Sequence, residues 1–167
     1  MDNSQSAAHR FVSTMIDKVK KDTACRAAFR HADTPSMESR AWEYILHFCK
    51  LESHTERRVF CLIGAAIART MPDHDGHMSV GSALRSLCSG GTEADLSTEL
   101  SRLRRLLACD DSFELLDVIR HVLRYIQAQG ALICYEQLLH DTIYWGEYTR
   151  IKWTKDFFKV SESATKD

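Results

Sequence analysis

The sequence predicts an all-α fold, a helical bundle in two small lobes with about eight helices. Apolar residues recur at helical spacing over most of the 167-residue chain. Only 7 Gly and 2 Pro interrupt it, which favours long helices over a turn-rich sheet. No strand-like alternation of apolar and polar residues is sustained, and only residues 131–135 are ambiguous.

Two helices are predicted before Pro35. The first covers residues 7–20, where Phe11 and Val19 share an apolar face and lysines lie outside it. Asp22 is the predicted N-cap of the second helix, over residues 23–32, because aspartate readily accepts hydrogen bonds from the free N–H groups of a first turn.

Two more helices are predicted between Pro35 and residue 70. Ser36 is expected to cap the third, in which Ala41 and Ile45 face inward. Ser53 or Thr55 opens the fourth helix. Its predicted buried face consists of Val59, Leu62, Ile63, Ala66 and Ile67.

A loop over residues 72–77 and the pair Gly90-Gly91 divide the sequence. Ser79 is the predicted cap of a short helix that lies between them and reaches Leu87. We therefore expect an N-terminal helical lobe over residues 1–91, a C-terminal helical lobe over residues 92–160 and a frayed tail over residues 161–167.

Three helices are predicted in the C-terminal lobe. The first has a leucine stripe of Leu96, Leu100, Leu103 and Leu107. The second begins at Ser112 and stops at Gly130. A final helix of about five turns starts near Tyr135 and runs through Gly146 to Phe157.

Composition restricts the class of function. The chain has 22 Lys and Arg against 23 Asp and Glu, so bulk charge predicts no attraction to a polyanion, and binding would need a local basic face. The six cysteines contain no C-x-x-C pair and are interpreted as buried apolar residues in a reducing compartment. The polar N-terminus and the short apolar runs predict a cytoplasmic protein without membrane contact.

Catalytic motifs are not apparent. Glycine-rich phosphate loops, G-x-S-x-G, H-E-x-x-H and E-x-x-H are all missing, so we expect no enzyme activity, no cofactor and no metal. One alternative is a metal-dependent hydrolase that uses His74, Asp75 and His77, since imidazole and carboxylate are common metal ligands. The tryptophans have helical core spacing, which favours packing over base stacking.

The basic residues of the C-terminal lobe are candidates for phosphate binding. Arg102 and Arg105 are three residues apart, away from the leucine stripe, and Arg120 and Arg124 are four apart on the next helix. Further basic residues follow near the C-terminus: Arg150, Lys152, Lys155 and Lys159. Such side chains suit phosphate oxygens, although the outer faces of helices are often simply solvated.

Four stretches of the sequence share a pattern with a known family. They are residues 22–32, residues 60–64, residues 78–84, and a C-terminal set of Leu123-Arg124, Tyr135 to Leu139, Tyr144-Trp145-Gly146 and Lys152 to Phe158. Together they resemble the small CasB-type subunit of the type I-E CRISPR Cascade surveillance complex. Each stretch alone is a weak signal. Their shared order and spacing from Asp22 to Phe158 is more specific.

The resemblance implies an all-helical, two-lobed protein without catalytic activity. Its implied partners are other Cascade protein subunits, a second copy of the chain, the guide RNA and the target DNA, including the displaced strand. It also implies basic contacts at Arg30, Arg102 and Arg124, where the family tends to place basic residues. Local charge adds further candidates: Arg57, Arg105, Arg150, Lys152 and Lys155.

The chain departs from the family pattern in two ways. Glu147-Tyr148 follows Trp-Gly where some relatives carry basic residues, and the net charge is only -1. We therefore expect a non-catalytic Cascade subunit that binds phosphates mainly within the assembly. The alternative is a helical adaptor that binds only protein partners.

Overall fold

The structure is a computed structural model that describes residues 6–88 and 92–159. Within these residues there are nine α-helices, one 3-10 helix and no strand longer than a single bridge, so the predicted all-α class is confirmed. The helices are α1 (Ala7–Lys21), α2 (Thr23–Phe29), α3 (Trp42–Ile45), α4 (His54–Thr70), α5 (Val80–Ser86), α6 (Glu93–Leu107), α7 (Ser112–Ala128), α8 (Tyr135–Ile143) and α9 (Glu147–Phe158); the 3-10 helix is Pro35–Ala41. No described helix has both the length and the apolar character needed to cross a membrane.

The described residues form two compact units that interleave along the chain. Unit 1 contains the residues up to Gly76 together with Tyr135–Ile143, and unit 2 contains His77–Cys134 and the residues from Tyr144 onwards. We had expected lobes over residues 1–91 and 92–160. The predicted boundary at Gly90-Gly91 and the tail 161–167 lie outside the described residues, and α8 belongs to unit 1 although both its sequence neighbours belong to unit 2.

Unit 1 is built around α4. All ten residues from Val59 to Ala68 are buried, and α1, α2, α3, α8 and the 3-10 helix pack against this helix. Phe11 fills the centre of the unit, with its ring 4.9 Å from that of Phe60 and 5.3 Å from that of Phe48. Clustered aromatic rings of this kind bury large apolar areas and hold the helices at fixed separations.

Unit 2 contains α5, α6, α7 and α9. Helix α5 packs against both α6 and α9, and α6 packs against α7. Gly81 allows the closest approach, because a Cβ atom at this position would lie 2.1 Å from the carbonyl oxygen of Trp153. Trp153 and Phe157 are fully buried on the inner face of α9.

Several predicted helix ends are confirmed by capping bonds. The side chains of Asp22, Ser53 and Ser79 accept hydrogen bonds from Cys25 N, Glu56 N and Ser82 N. Helix α7 ends at Ala128, and Gly130 follows with a φ of 80°, a left-handed conformation that glycine adopts at little cost.

Other element predictions were wrong. Thr34, not Ser36, precedes the 3-10 helix, and it makes no side-chain capping bond. The predicted five-turn C-terminal helix is two helices, because α8 ends at Ile143 and Gly146 is the N-cap of α9. On α6 the buried leucines are Leu103 and Leu106, whereas Leu100 and Leu107 are only half-buried.

Candidate nucleic-acid interface

The predicted contact residues are divided between the two units. Unit 1 holds Arg30 and Arg57. Unit 2 holds the remainder: Arg102 and Arg105 on α6, Arg124 on α7, and Arg150, Lys152 and Lys155 on α9. The structure therefore brings three arginines onto one packed helix pair, α6 and α7.

Arg57 ties the first turn of α4 to the 3-10 helix. Its Nε donates a hydrogen bond to the carboxylate of Glu38, which is buried, and an Nη donates to the Leu51 carbonyl at 2.6 Å. The guanidinium also lies 5.0 Å from the centroid of the Trp42 ring. Loss of one partner of such a pair leaves an uncompensated charge in a poorly solvated place. Arg57 thus has a structural role, and we leave it out of the interface.

Arg150 fastens the start of α9 to the turn between α6 and α7. An Nη donates to the carbonyl oxygens of Cys109 and Asp110. The guanidinium lies 5.6 Å from the ring centroid of Trp145, whose Nε1 donates to the same Cys109 oxygen at 2.9 Å. These carbonyl partners are about forty residues away in the sequence, so the charges near Arg150 did not predict the bonds. Arg150 is also a structural residue.

Arg102 lies between a carboxylate and an aromatic ring. Its Nε is 3.6 Å from Oε2 of Glu99, and its guanidinium carbon is 3.8 Å from the ring centroid of Tyr125. The Tyr125 hydroxyl donates to Oε1 of Glu99, and this bond, together with burial, raises the tyrosine pKa. Glu99 is buried, so the cluster joins α6 to α7 and restricts the orientation of the arginine. The spacing of Glu99 and Arg102 was visible in the sequence, but Tyr125 was not an obvious third member.

Arg105 and Arg124 are exposed on the same helix pair. Arg105 lies in the last turn of α6, one turn beyond Arg102. Arg124 adjoins Tyr125, the α7 residue that contacts α6. Both side chains therefore lie at the surface of unit 2.

Comparison with known proteins identifies the family. A sequence model described as CRISPR-associated protein Cse2 matches residues 25–158, which is most of the chain. The chain belongs to this family. The resemblance drawn from the sequence motifs is thereby confirmed. No match was found among curated proteins.

Two solved structures share the fold of this family member. A chain of a CRISPR RNA-guided surveillance complex superimposes with a TM-score of 0.74 at 18% identity, covering 95% of both chains. CasB from Thermus thermophilus gives a TM-score of 0.70 at 21% identity, covering 91% of this chain and 97% of CasB. At these identities the similarity concerns the fold alone.

The two lysines of α9 lie away from its buried face. Thr149, Trp153 and Phe157 face inward, whereas Lys152 and Lys155 are half-buried. The ring of Trp153 lies 5.0 Å from that of Trp145, so these two tryptophans pack internally as predicted. Trp42 in unit 1 is more exposed than expected, at 38%.

Asp75, one of the three residues of the alternative metal site, makes structural contacts within unit 1. The Asp75 carboxylate accepts backbone hydrogen bonds from Gly76, Tyr135 and Glu136, the last two at 2.6 and 3.1 Å. It therefore caps the first turn of α8 from a loop sixty residues away. Over residues 6–88 and 92–159, no three His, Cys, Asp or Glu side chains are grouped to hold a metal ion.

Cys25, Cys49 and Cys61 are reduced thiols that are shielded from solvent. Burial raises the pKa of Cys25 and Cys49 from 9.0 to about 11, and raises that of Cys61 further. At neutral pH these thiols are protonated, whereas a nucleophilic cysteine requires a thiolate. Their chemistry is that of small buried side chains.

Proposed function

We propose that the chain is a non-catalytic small subunit of a cytoplasmic CRISPR Cascade ribonucleoprotein. In this role it stabilises guide RNA–target DNA engagement and the displaced DNA strand through sequence-independent phosphate contacts. Its partners are the other Cascade protein subunits, a second copy of the chain, the guide RNA and the target DNA. Membership of the Cse2 family is the observation that carries this proposal.

The proposed phosphate contacts centre on α6 and α7. Arg105 and Arg124 are exposed, and Arg102, one turn before Arg105 on α6, is held in place by Glu99 and Tyr125. A guanidinium that is already oriented loses less conformational freedom when it binds a phosphate. Arg30, Lys152 and Lys155 are further candidates.

The low overall charge suggests that DNA binding depends on assembly into the complex. With a net charge of -1, the isolated chain gains little from long-range attraction to DNA. Within an assembly, neighbouring subunits hold the strand close and raise its effective concentration at the arginines. We therefore expect weak binding by the isolated chain and a measurable contribution in the complex.

Charge reversal in a reconstituted complex tests the proposal. Arg105→Glu and Arg124→Glu should shorten the R-loop lifetime, because each replaces a phosphate contact with repulsion. Arg40→Glu makes the same charge change at an exposed residue of unit 1 that is outside the proposed set. Circular dichroism should show all three variants folded. An unchanged R-loop lifetime in both α6 and α7 variants would refute the proposal.

A salt titration distinguishes the protein-only adaptor. If the arginines bind phosphates, the logarithm of the affinity for DNA falls with the logarithm of salt concentration, and each lost contact reduces the slope by about 0.7 on a single strand. An adaptor that binds only protein leaves this slope identical in wild type, Arg105→Glu and Arg124→Glu complexes.

A further inference from the structure

We propose that the outward face of α9 is a stacking surface for unpaired nucleobases, with Tyr148 as the ring and Lys152 and Lys155 as the neighbouring cations. The inference rests on the proposed function, since it specifies how a single strand is held. It adds a contact to bases that the arginines of α6 and α7 do not supply.

The exposed residues of α9 form one row. Tyr148, Ile151 and Phe158 are 76%, 48% and 47% exposed, although large apolar side chains are usually covered. Positions 148, 151, 155 and 158 recur every three or four residues and so share a helix face. The opposite face, at Thr149, Trp153 and Phe157, is buried. Tyr144, just before α9, is also 68% exposed.

The charge of this row is positive. Lys155 lies within it, and Lys152 lies beside Tyr148 one turn along the helix. The carboxylate of Asp156 accepts a hydrogen bond from the Ser79 hydroxyl at 2.6 Å and so belongs to the α5 side of the helix. Glu147, the other acid of α9, is exposed in the first turn, four residues before Ile151, and so borders the row at its N-terminal end. The two lysines outnumber this one acid, and the row keeps a net positive charge.

The combination of an exposed aromatic ring with neighbouring lysines favours a single nucleic-acid strand over a protein partner. Lysine is depleted from the centres of protein interfaces, whereas sites for single strands combine cations with aromatic rings. Base pairing and stacking hide the faces of bases in a duplex, so an exposed ring has a stacking partner only on an unpaired strand. The tryptophan pair of unit 2 is unavailable for this role, because Trp153 is fully buried and Trp145 is bonded to Cys109.

Removal of the ring without a change of charge is the decisive perturbation. In the assembled complex, Tyr148→Ala should weaken binding of a single-stranded oligonucleotide by about 5-fold or more, the range expected for loss of one base–ring stack. The salt slope should stay unchanged because no cation is removed. Tyr148→Phe should retain wild-type affinity. Phe113→Ala, which removes a 48% exposed ring from α7, should have no effect.

An abasic strand identifies the partner of the ring. A set of oligonucleotides, each with one abasic position, should include one that the wild-type complex binds more weakly. For that strand, Tyr148→Ala should cause no further loss, since the stack is already absent. If removal of the base and removal of the ring weaken binding independently, the stacking proposal is overturned.

The remaining outcomes separate this inference from the proposed function. If Tyr148→Ala binds normally while Arg105→Glu shortens the R-loop lifetime, stacking is overturned and the subunit role stands. If neither variant has an effect, the subunit role itself fails. If Tyr148→Ala is folded but no longer co-purifies with the complex, the row docks against protein and the stacking inference is overturned.

Discussion

Substitution of Gly81 by alanine tests the packing that positions α9. The added Cβ would lie 2.1 Å from the Trp153 carbonyl oxygen, whereas carbon–oxygen contacts are at least about 3.3 Å, so the helices must separate by roughly 1 Å. Such overpacking costs about 1–3 kcal/mol or more. Alanine recovers about 1 kcal/mol through its higher helix propensity, and this gain would offset only the mildest clash. We therefore expect Gly81→Ala to lower the free energy of unfolding by about 1–2 kcal/mol.

Two other glycines provide matched controls in a thermal denaturation assay. At Gly64 the new Cβ would meet the ring of Phe29 at 2.3 Å, and a side chain can move more easily than a backbone. At Gly146 its closest neighbour would be 3.9 Å away. The loss of melting temperature should therefore be greatest for Gly81→Ala, at about 2–8 °C, and least for Gly146→Ala. A Gly81→Ala variant as stable as wild type would contradict the close approach of α5 and α9.

Three further predictions concern local contacts. Tyr125→Phe removes the hydroxyl donor to the buried Glu99 carboxylate and should cost about 1.5–3 kcal/mol in urea denaturation; an unchanged midpoint would mean that this bond adds no stability. Asp75→Ala removes the acceptor for Tyr135 N and should speed hydrogen exchange in the first turn of α8, with exchange in α7 as the unaffected reference. The raised pKa of Cys25 means that the folded state holds the thiol proton more tightly than the unfolded state does. The resulting contribution to the free energy of unfolding is fully present below pH 9.0 and is lost as the pH rises towards about 11. Cys25→Ala should therefore show a smaller loss of melting temperature over this range.

Helix starts were the most predictable part of the fold. Asp22, Ser53 and Ser79 each cap a helix through a bond to the backbone three residues ahead. Such bonds depend only on neighbouring residues, so the sequence contains the whole signal. The buried face of α7 was also predictable, since Leu115, Ile119, Val122 and Ile126 repeat at helical spacing and all are buried.

The break between α8 and α9 was not predictable from periodicity. Apolar residues continue at helical spacing from Leu139 through Gly146 to Trp153, yet the two segments belong to different units. Periodicity shows that a face is buried, and it does not show which surface covers that face. The cap that Asp75 supplies to α8 is likewise invisible, because it comes from sixty residues away.

In the candidate interface, too, partners that are distant in the chain could not be predicted from the sequence. Local charge gave Arg57, Arg105 and Arg150 equal standing as candidate contacts. Arg57 and Arg150 are bonded to Glu38 and to the Cys109 carbonyl, and Arg105 is exposed. A charged residue and its distant partner leave no joint pattern in one sequence, so only coordinates separate structural arginines from candidate contacts.

By itself the sequence determined the all-α class, most helix starts and the Cse2 family, because these depend on composition, nearest neighbours and the order of short motifs. The tertiary structure alone decided how the chain divides into units, which arginines stay exposed and which rings of α9 face solvent. These properties depend on contacts between residues far apart in the chain. Burial and charge pairing depend on which surface packs against a residue in the folded chain, and the pattern of a sequence does not specify that surface.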